Sequence, residues 1–251
     1  MSQTTEFISI IIPGYNEEKR ILAGLESLSA FCEEHFETYE MVFVDDGSKD
    51  QTRQIATSFP NSHVRVVASD QNRGKGFAVK TGMLAAQGQY RFFTDSDLPY
   101  DLMAILDALH VFRTTPCDVV AGARDHPRSA DRSGQTLARR AASKIFSVMV
   151  RLMLNVDMKD TQCGFKGFTA EAAEKLFSLS TIKGYAFDVE VLVLARGLGL
   201  RVCKIPVTLV ERHHSKVRIS LDAPMMFWDV VKLRWRAGSR EQTRSDEVVS
   251  S

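Results

Sequence analysis

FISIIIPGYNEE, residues 7–18, carries the reading that decides the fold. Its first half, Phe7–Ile12, is a nearly unbroken apolar run that stops at Pro13-Gly14, which suits a strand covered on both faces of a parallel sheet. From Glu17 the apolar positions change period. Ile21, Leu22, Leu25, Leu28, Phe31 and Cys32 follow helical spacing, with acids ahead of them where a helix dipole favours negative charge. Outward from this unit the alternation repeats. Met41–Val44 predicts a second strand that runs into DDGSKDQT (45–52), where Ser48 and Gln51 have capping-box spacing for a helix through Ile55 and Ala56. Val64–Ala68 predicts a strand, Gly76–Ala86 a helix, Tyr90–Thr94 a strand, Asp101–Phe112 a helix and Asp118–Ala121 a strand. Such alternation predicts an α/β fold with a mostly parallel, Rossmann-like central sheet and right-handed crossovers.

The chain has 251 residues, enough for one large domain with a full core, and its 44% hydrophobic and 25% charged content excludes a disordered, collagen-like or disulfide-scaffold protein. Cysteines at 32, 117, 163 and 203 show no C-x-x-C and no tight cysteine–histidine cluster, so neither a zinc site nor a disulfide framework is expected. The first 18 residues lack the basic and long apolar regions of a signal peptide, and a reducing cytoplasm fits. The longest apolar stretch, Ile145–Val156, is interrupted by Arg151 and falls short of the ~20 residues that cross a bilayer. Charge is divided along the chain. Residues 1–120 carry 10 basic and 17 acidic side chains, whereas residues 121–251 carry 22 basic and 14 acidic, so the later half is the one suited to an anion.

Ligands of open parallel sheets bind beyond the carboxyl ends of the strands, and the acids of this chain lie there. Tyr15, Asn16 and Glu17 follow the first strand, Asp45 and Asp46 end the second, and Asp95 and Asp97 end the fourth, so five carboxylates converge on one rim. The D-x-D of Asp95-Ser96-Asp97 offers hard oxygen ligands to Mg²⁺ or Mn²⁺ with positions left for diphosphate oxygens; alone, such aspartates serve equally as turn or helix caps. The adjacent acids Asp45-Asp46 exceed what a turn feeding a helix needs, and an aspartate there can accept from a base or ribose. Asn72-Arg73-Gly74-Lys75-Gly76 precedes a helix with two glycines and two cations, a setting for a phosphate, although a glycine turn with solvated cations has the same composition. Neither G-x-G-x-x-G nor a P-loop sequence is present.

Beyond residue 121 the pattern loosens into the basic stretch GARDHPRSADRSGQTLARR (121–140), a helix to about Asn155 and the segment DTQCGFKGF (160–168). Helices near Thr169–Phe177 and Ala186–Arg196, a strand near Arg201–Val210 and an amphipathic segment Asp222–Arg236 follow, and the tail 241–251 reads as disordered. One domain over 1–240 is expected, with a nucleotide half (1–120) and an acceptor half (121–240).

IPGYNEE (12–18), VDDGSKDQT (44–52), NRGKG (72–76) and TDSDLPYD (94–101) together resemble the successive signatures of family 2 glycosyltransferases of the GT-A type. RDHPRS (124–129), KDTQCGFKGF (159–168), YAFDVEVL (185–192) and HSKV (214–217) are similar to the polyprenyl-phosphate branch of that family, especially its dolichyl-phosphate glucosyltransferases. The resemblance implies a GT-A fold and a nucleoside-sugar site of Pro13, Tyr15, Glu17, Asp45 or Asp46, Lys75, Asp95 and Ser96. It implies metal and diphosphate on Asp95 and Asp97. Mannosyl relatives keep a metal-assisting polar residue where this chain has Pro99, which points away from GDP-mannose and toward UDP-glucose.

A polyprenyl phosphate has a second pKa of ~6 and attacks with little help from a base. Transfer then depends on positioning by an acceptor clamp of Arg124, Arg128, Gln162, Lys166, Lys216 and Arg218, and in-line displacement inverts the anomeric centre. Asp188 occupies the place of the base in inverting relatives with hydroxyl acceptors; sugar binding and helix capping are its alternatives. Membrane attachment is expected to be peripheral, on the cytoplasmic face, through Ile145–Val156 and Met225–Trp235, whose tryptophans 228 and 235 suit an interface. A hydroxyl acceptor, a mannosyl donor and an inactive nucleotide-binding scaffold are the competing readings. A nucleic-acid partner is disfavoured, because the later cations are interleaved with Met, Val, Leu and Trp.

Overall fold

The structure, a computed structural model, describes residues 3–131, 148, 150, 153–154, 160–161, 163–210 and 225–235. Gln162, Lys216, Arg218, the 241–251 tail and most of the expected helix to Asn155 lie outside these residues.

In chain order the elements are β1 (Ile8–Gly14), α1 (Ile21–His35), β2 (Tyr39–Asp45), α2 (Thr52–Thr57), β3 (Val64–Ala68), α3 (Lys75–Ala85), β4 (Tyr90–Phe93), α4 (Met103–Thr114), β5 (Val119–Ala123), β6 (Ala130–Asp131), β7 (Lys166–Thr169), α5 (Ala170–Leu179), α6 (Phe187–Gly197), β8 (Val202–Pro206) and β9 (Thr208–Leu209). A further helix spans 225–235. The main sheet has the order β3-β2-β1-β4-β7-β5-β8, and β1 lies inside it, parallel to both β2 and β4. Period-2 alternation divides β1 between two cores. Ile8, Ile10 and Ile12 face one with Leu25 and Leu28 of α1 and Ile105 and Leu109 of α4. Ile11 faces the other with Val79 of α3, Phe177 of α5 and Val191 of α6. Helices therefore cover both faces, and every residue of β1 is buried.

Five expectations need correction. The first helix starts at Ile21 rather than Glu17, because the Arg20 and Ile21 N–H groups both donate to the Glu17 carbonyl in a preceding turn. Ser48 does not cap α2: its hydroxyl accepts from the Asn16 N–H, and Asp50 accepts from the Thr52 N–H instead. The segment DTQCGFKGF (160–168), for which no strand was expected, runs into β7, which inserts antiparallel between β4 and β5. The strand predicted over 201–210 breaks after Pro206, which has no N–H to continue a ladder, and β9 pairs with β6 in a separate two-stranded sheet. At the sheet edge, Cys117 and Cys203 sit side by side in position for one disulfide, where none was expected; parallel pairing of β5 with β8 joins residues whose separation of 86 carries no local signature.

Gly82 lies where α3 crosses β1 and β2, and a Cβ there would overlap the side chains of Ile11 and Val44. Gly82→Val is expected to destabilise the chain by about 1–3 kcal/mol through overpacking, read as a Tm several degrees lower; an unchanged Tm would mean that α3 does not press on the sheet this closely.

Candidate active site

The loops after β1 and β2 are tied to each other before they meet any ligand. Asn16 adopts φ +52°, its N–H donates to the Ser48 hydroxyl at 2.9 Å, and its Oδ1 accepts from the Lys49 N–H at 2.8 Å. The Glu17 N–H donates to Thr52 Oγ1 at 2.6 Å. Pro13 is buried in β1 beside Val44, and Tyr15 stands half-buried at the strand exit. Both acids that end β2 have partners inside the chain. Asp45 is fully buried, accepting from Arg53 Nε at 2.8 Å and from the Ser48 N–H at 3.2 Å. Asp46 accepts from the Arg73 N–H at 2.9 Å and the Gly74 N–H at 2.7 Å; burial pushes its carboxyl above the usual range against those two donors.

Asp46 thereby fixes the 72–76 loop at the N-terminus of α3. The loop is pressed from its other side by backbone: Gly74, at φ +104°, and Gly76 abut the carbonyls of Lys183 and Ile182 so closely that no Cβ fits. The Phe77 N–H completes the contact at 3.1 Å from the Lys183 carbonyl. Only glycine satisfies both the positive φ and the close approach at 74.

Lys75, the first residue of α3, reaches the D-x-D. Its Nζ lies 2.5 Å from Asp95 Oδ1. Burial opposes its charge, but Asp95 and Asp188 outweigh it and hold the ammonium above the usual lysine range. Ser96 is buried between the two acids, whereas Asp95 and Asp97 keep 31% and 20% of their side-chain surface open. Gly164 packs on Asp95, leaving no room for a side chain between them. Arg20 Nη1 stands 4.0 Å from Asp97 while its Nη2 holds Glu17 at 2.6 Å. Burial, and then the charge of Asp95, push the Asp97 carboxyl up.

The acceptor-side residues are more strongly paired than their sequence suggests. Lys166 is almost wholly buried, with Nζ 2.5 Å from Asp188 Oδ1 and 2.8 Å from the Cys163 carbonyl. Burial raises the Asp188 carboxyl, with Lys166 and Lys75 pulling the other way. Arg124 forms a bidentate pair with Asp160 at 2.7 and 2.6 Å, and despite burial the pairing holds Asp160 below the usual carboxylate range. Arg128 is exposed. Glu190 reaches outside its own helix: it accepts from the N–H groups of Thr181 and Ile182 and holds the loop that presses on Gly74 and Gly76.

Lys75, Asp95, Lys166 and Asp188 therefore alternate in sign across the space between α3, β4, β7 and α6. Arg20, Asp160 and Gly164 belong to the site and were not singled out from the sequence. The Glu17/Arg20 spacing of i,i+3 and the glycine two residues ahead of β7 are the signals that could have found two of them. A divalent cation fits the D-x-D on chemistry: the charge of Asp95 makes Asp97 costlier to ionise, and the two carboxylates are hard oxygen donors whose repulsion a cation relieves. Among the described residues, no group of three or more His, Cys, Asp or Glu side chains converges for a metal.

The sequence profile of Glycosyl transferase family 2 matches residues 9–177. A dolichyl-phosphate beta-glucosyltransferase of Dictyostelium discoideum is 34% identical over 92% of this chain and 74% of its own length. The Homo sapiens protein of the same description is 30% identical over 96% of this chain and 80% of its own. Among solved structures, glucosyl-3-phosphoglycerate synthase from Mycobacterium tuberculosis, in complex with Mn²⁺, UDP-glucose and phosphoglyceric acid, superposes with a TM-score of 0.67 at 22% identity, covering 93% of this chain and 80% of that one. The fold is thus that of the GT-A glycosyltransferases, a mixed, mostly parallel seven-stranded sheet with helices on both faces.

Removing one partner of the buried Lys166–Asp188 pair strands a charge. Lys166→Met is expected to cost about 3–5 kcal/mol in urea or thermal melts, whereas Lys175→Met, which breaks an exposed pair with Glu171, leaves the transition in place. Equal, small shifts would show that Asp188 does not depend on Lys166.

Proposed function

As this chain belongs to glycosyl transferase family 2, and to a group whose relatives are dolichyl-phosphate beta-glucosyltransferases, we propose that it moves glucose from UDP-glucose to a polyprenyl phosphate, inverting the anomeric carbon. The observation that carries this reading is the pairing of Lys75, at the start of α3, with Asp95 of the D-x-D. It joins a helix N-terminus suited to phosphate with two carboxylates suited to a divalent cation, on the rim where α/β sheets bind ligands.

In this reading Pro13, Tyr15, Glu17 and Asp45 line the nucleoside side, and Asp46 shapes it by holding the 72–76 loop. Asp95 and Asp97 hold Mg²⁺ or Mn²⁺, which supplies Lewis-acid stabilisation of the departing diphosphate. Lys75 neutralises diphosphate charge, and Ser96 keeps the two acids on one turn. An acceptor phosphate oxygen forms the new bond to the anomeric carbon as the bond to UDP breaks. Arg124, oriented by Asp160, steers that phosphate with Arg128, and Gln162, Lys216 and Arg218 are assigned to the same task. Lys166 acts through Asp188.

The state of Asp188 favours a phosphate over a hydroxyl acceptor. A base for a hydroxyl must be reachable by the acceptor, and Asp188 is buried, with Oδ1 held by the Lys166 ammonium at 2.5 Å. A phosphate with a second pKa of ~6 is largely a dianion at neutral pH and needs no such base.

A peripheral contact with the cytoplasmic membrane face is supported by the 225–235 helix. Val230 and Leu233 are buried against α6 and β5, and Met226 is buried on the same helix, whereas Met225, Trp228 and Trp235 are 65%, 61% and 79% exposed. No helix among the described residues is long and apolar enough to cross a membrane. Exposed tryptophans beside Lys232 and Arg234 suit an anionic interface.

Incubated with labelled UDP-glucose, GDP-mannose or UDP-N-acetylglucosamine and a short polyprenyl phosphate, the chain is expected to move label into the organic phase from UDP-glucose alone, and EDTA is expected to abolish transfer. Transfer from GDP-mannose would overturn the donor assignment, and full activity of Asp97→Asn would overturn the site. In vesicle sedimentation, Trp228→Ala with Trp235→Ala is expected to release the chain from phosphatidylglycerol-containing liposomes at least several-fold; undiminished binding would move the contact elsewhere.

A further inference from the structure

We propose that Lys75 is a resident counter-cation that occupies Asp95 until a nucleoside diphosphate draws its ammonium away, so that metal and nucleotide enter as a coupled pair; the inference rests on the metal reading of the D-x-D given above. Asp95 and Asp97 are not equivalent in the ligand-free chain. Asp95 carries an ammonium on Oδ1 at 2.5 Å and has Gly164 packed against Oδ2, whereas among the described residues the nearest cation to Asp97, Arg20, stands 4.0 Å away and is committed to Glu17. A divalent cation needs the oxygens of Asp95, so it competes with the ammonium for them.

The competition has a built-in release. The backbone at Lys75 cannot follow a ligand, since Asp46 fixes the loop from one side and the carbonyls of Ile182 and Lys183 from the other. Its four-carbon stem can, because the side chain is 21% exposed and ends beside an open carboxylate. A diphosphate at the N-terminus of α3, an 11-residue helix, carries more negative charge than one carboxylate and lies where the dipole favours it. The ammonium then pairs with the diphosphate and Asp95 is freed for the metal. Asp188, the other carboxylate whose charge bears on Lys75, already holds Lys166 and competes less well. By linkage, nucleotide must raise metal affinity by the factor that metal raises nucleotide affinity.

A bond from metal to diphosphate would also couple the two ligands, so the deciding measurement is made without nucleotide. Free Mn²⁺ is followed by its electron paramagnetic resonance signal as protein is added. Lys75→Met is expected to tighten Mn²⁺ binding to the nucleotide-free chain by roughly tenfold and to weaken metal-free UDP binding by a similar factor. Lys80→Met, which removes a charge from the same helix, is expected to leave both within about twofold. Lys75→Gln gives the same direction should Lys75→Met fail to fold. Unchanged or weaker Mn²⁺ binding in the Lys75 variants, with Mn²⁺ still bound by the wild-type chain plus UDP, overturns the counter-cation. Mn²⁺ binding in the presence of UDP that Asp97→Asn leaves intact overturns the metal site itself and with it the inference.

Discussion

The carboxylate of Asp46 ties the molecule's two organising features together. It ends the strand next to β1 and accepts both N–H groups that open the 72–76 loop. Without it, the segment that leads into α3 would carry two unpaired donors. Burying a carboxylate this deeply is costly unless it is fully hydrogen-bonded, and the two donors, at 2.7 and 2.9 Å, meet that condition. The position of Lys75 follows from it. The first residue of α3 can meet Asp95 only because its backbone is pinned at the height of the strand ends.

From that pin outward, the site is a set of opposite charges that satisfy one another in pairs: Lys75 with Asp95, Lys166 with Asp188, Arg124 with Asp160, Arg20 with Glu17. Such pairing lets a cleft meant for a highly charged substrate exist without its ligands. Each pair also defines what a ligand must displace or can leave alone. The pairs near the rim are half-open, while the Lys166–Asp188 pair is sealed beneath them. This gradient separates residues able to exchange partners from residues that hold others in place.

Much of the fold was legible because its strands announce themselves locally. Phe7–Ile12 and Val64–Ala68 read as strands from their apolar runs, and the acids that follow β1, β2 and β4 could be placed on one rim by topology alone. Strand β7 was not legible, because its four residues, Lys166-Gly167-Phe168-Thr169, owe their conformation to partners 75 or so positions upstream in β4 and about 47 upstream in β5. Lys166 misled for the same reason. Sequence placed this lysine among the acceptor clamp, and only the fold reveals its partner Asp188. Asp45 and Asp46 were legible as surplus acids, but sequence offers no means to tell an acid that meets a ligand from one that shapes the loop beside it.

The loop at 181–185 links the regions that the sequence separates into donor and acceptor halves. Glu190 of α6 holds Thr181 and Ile182, the carbonyls of Ile182 and Lys183 abut Gly76 and Gly74, and Asp229 of the 225–235 helix comes up to the open side of Gly184. The acidic first half and the basic second half are therefore not two modules laid side by side. The donor loop is braced by the second half, so its geometry is set jointly by a carboxylate at residue 46 and by backbone more than 100 residues later. The turn at 72–76 is complete only with the 182–183 backbone packed against it, which makes its shape a product of both halves of the chain rather than of the motif that marks it.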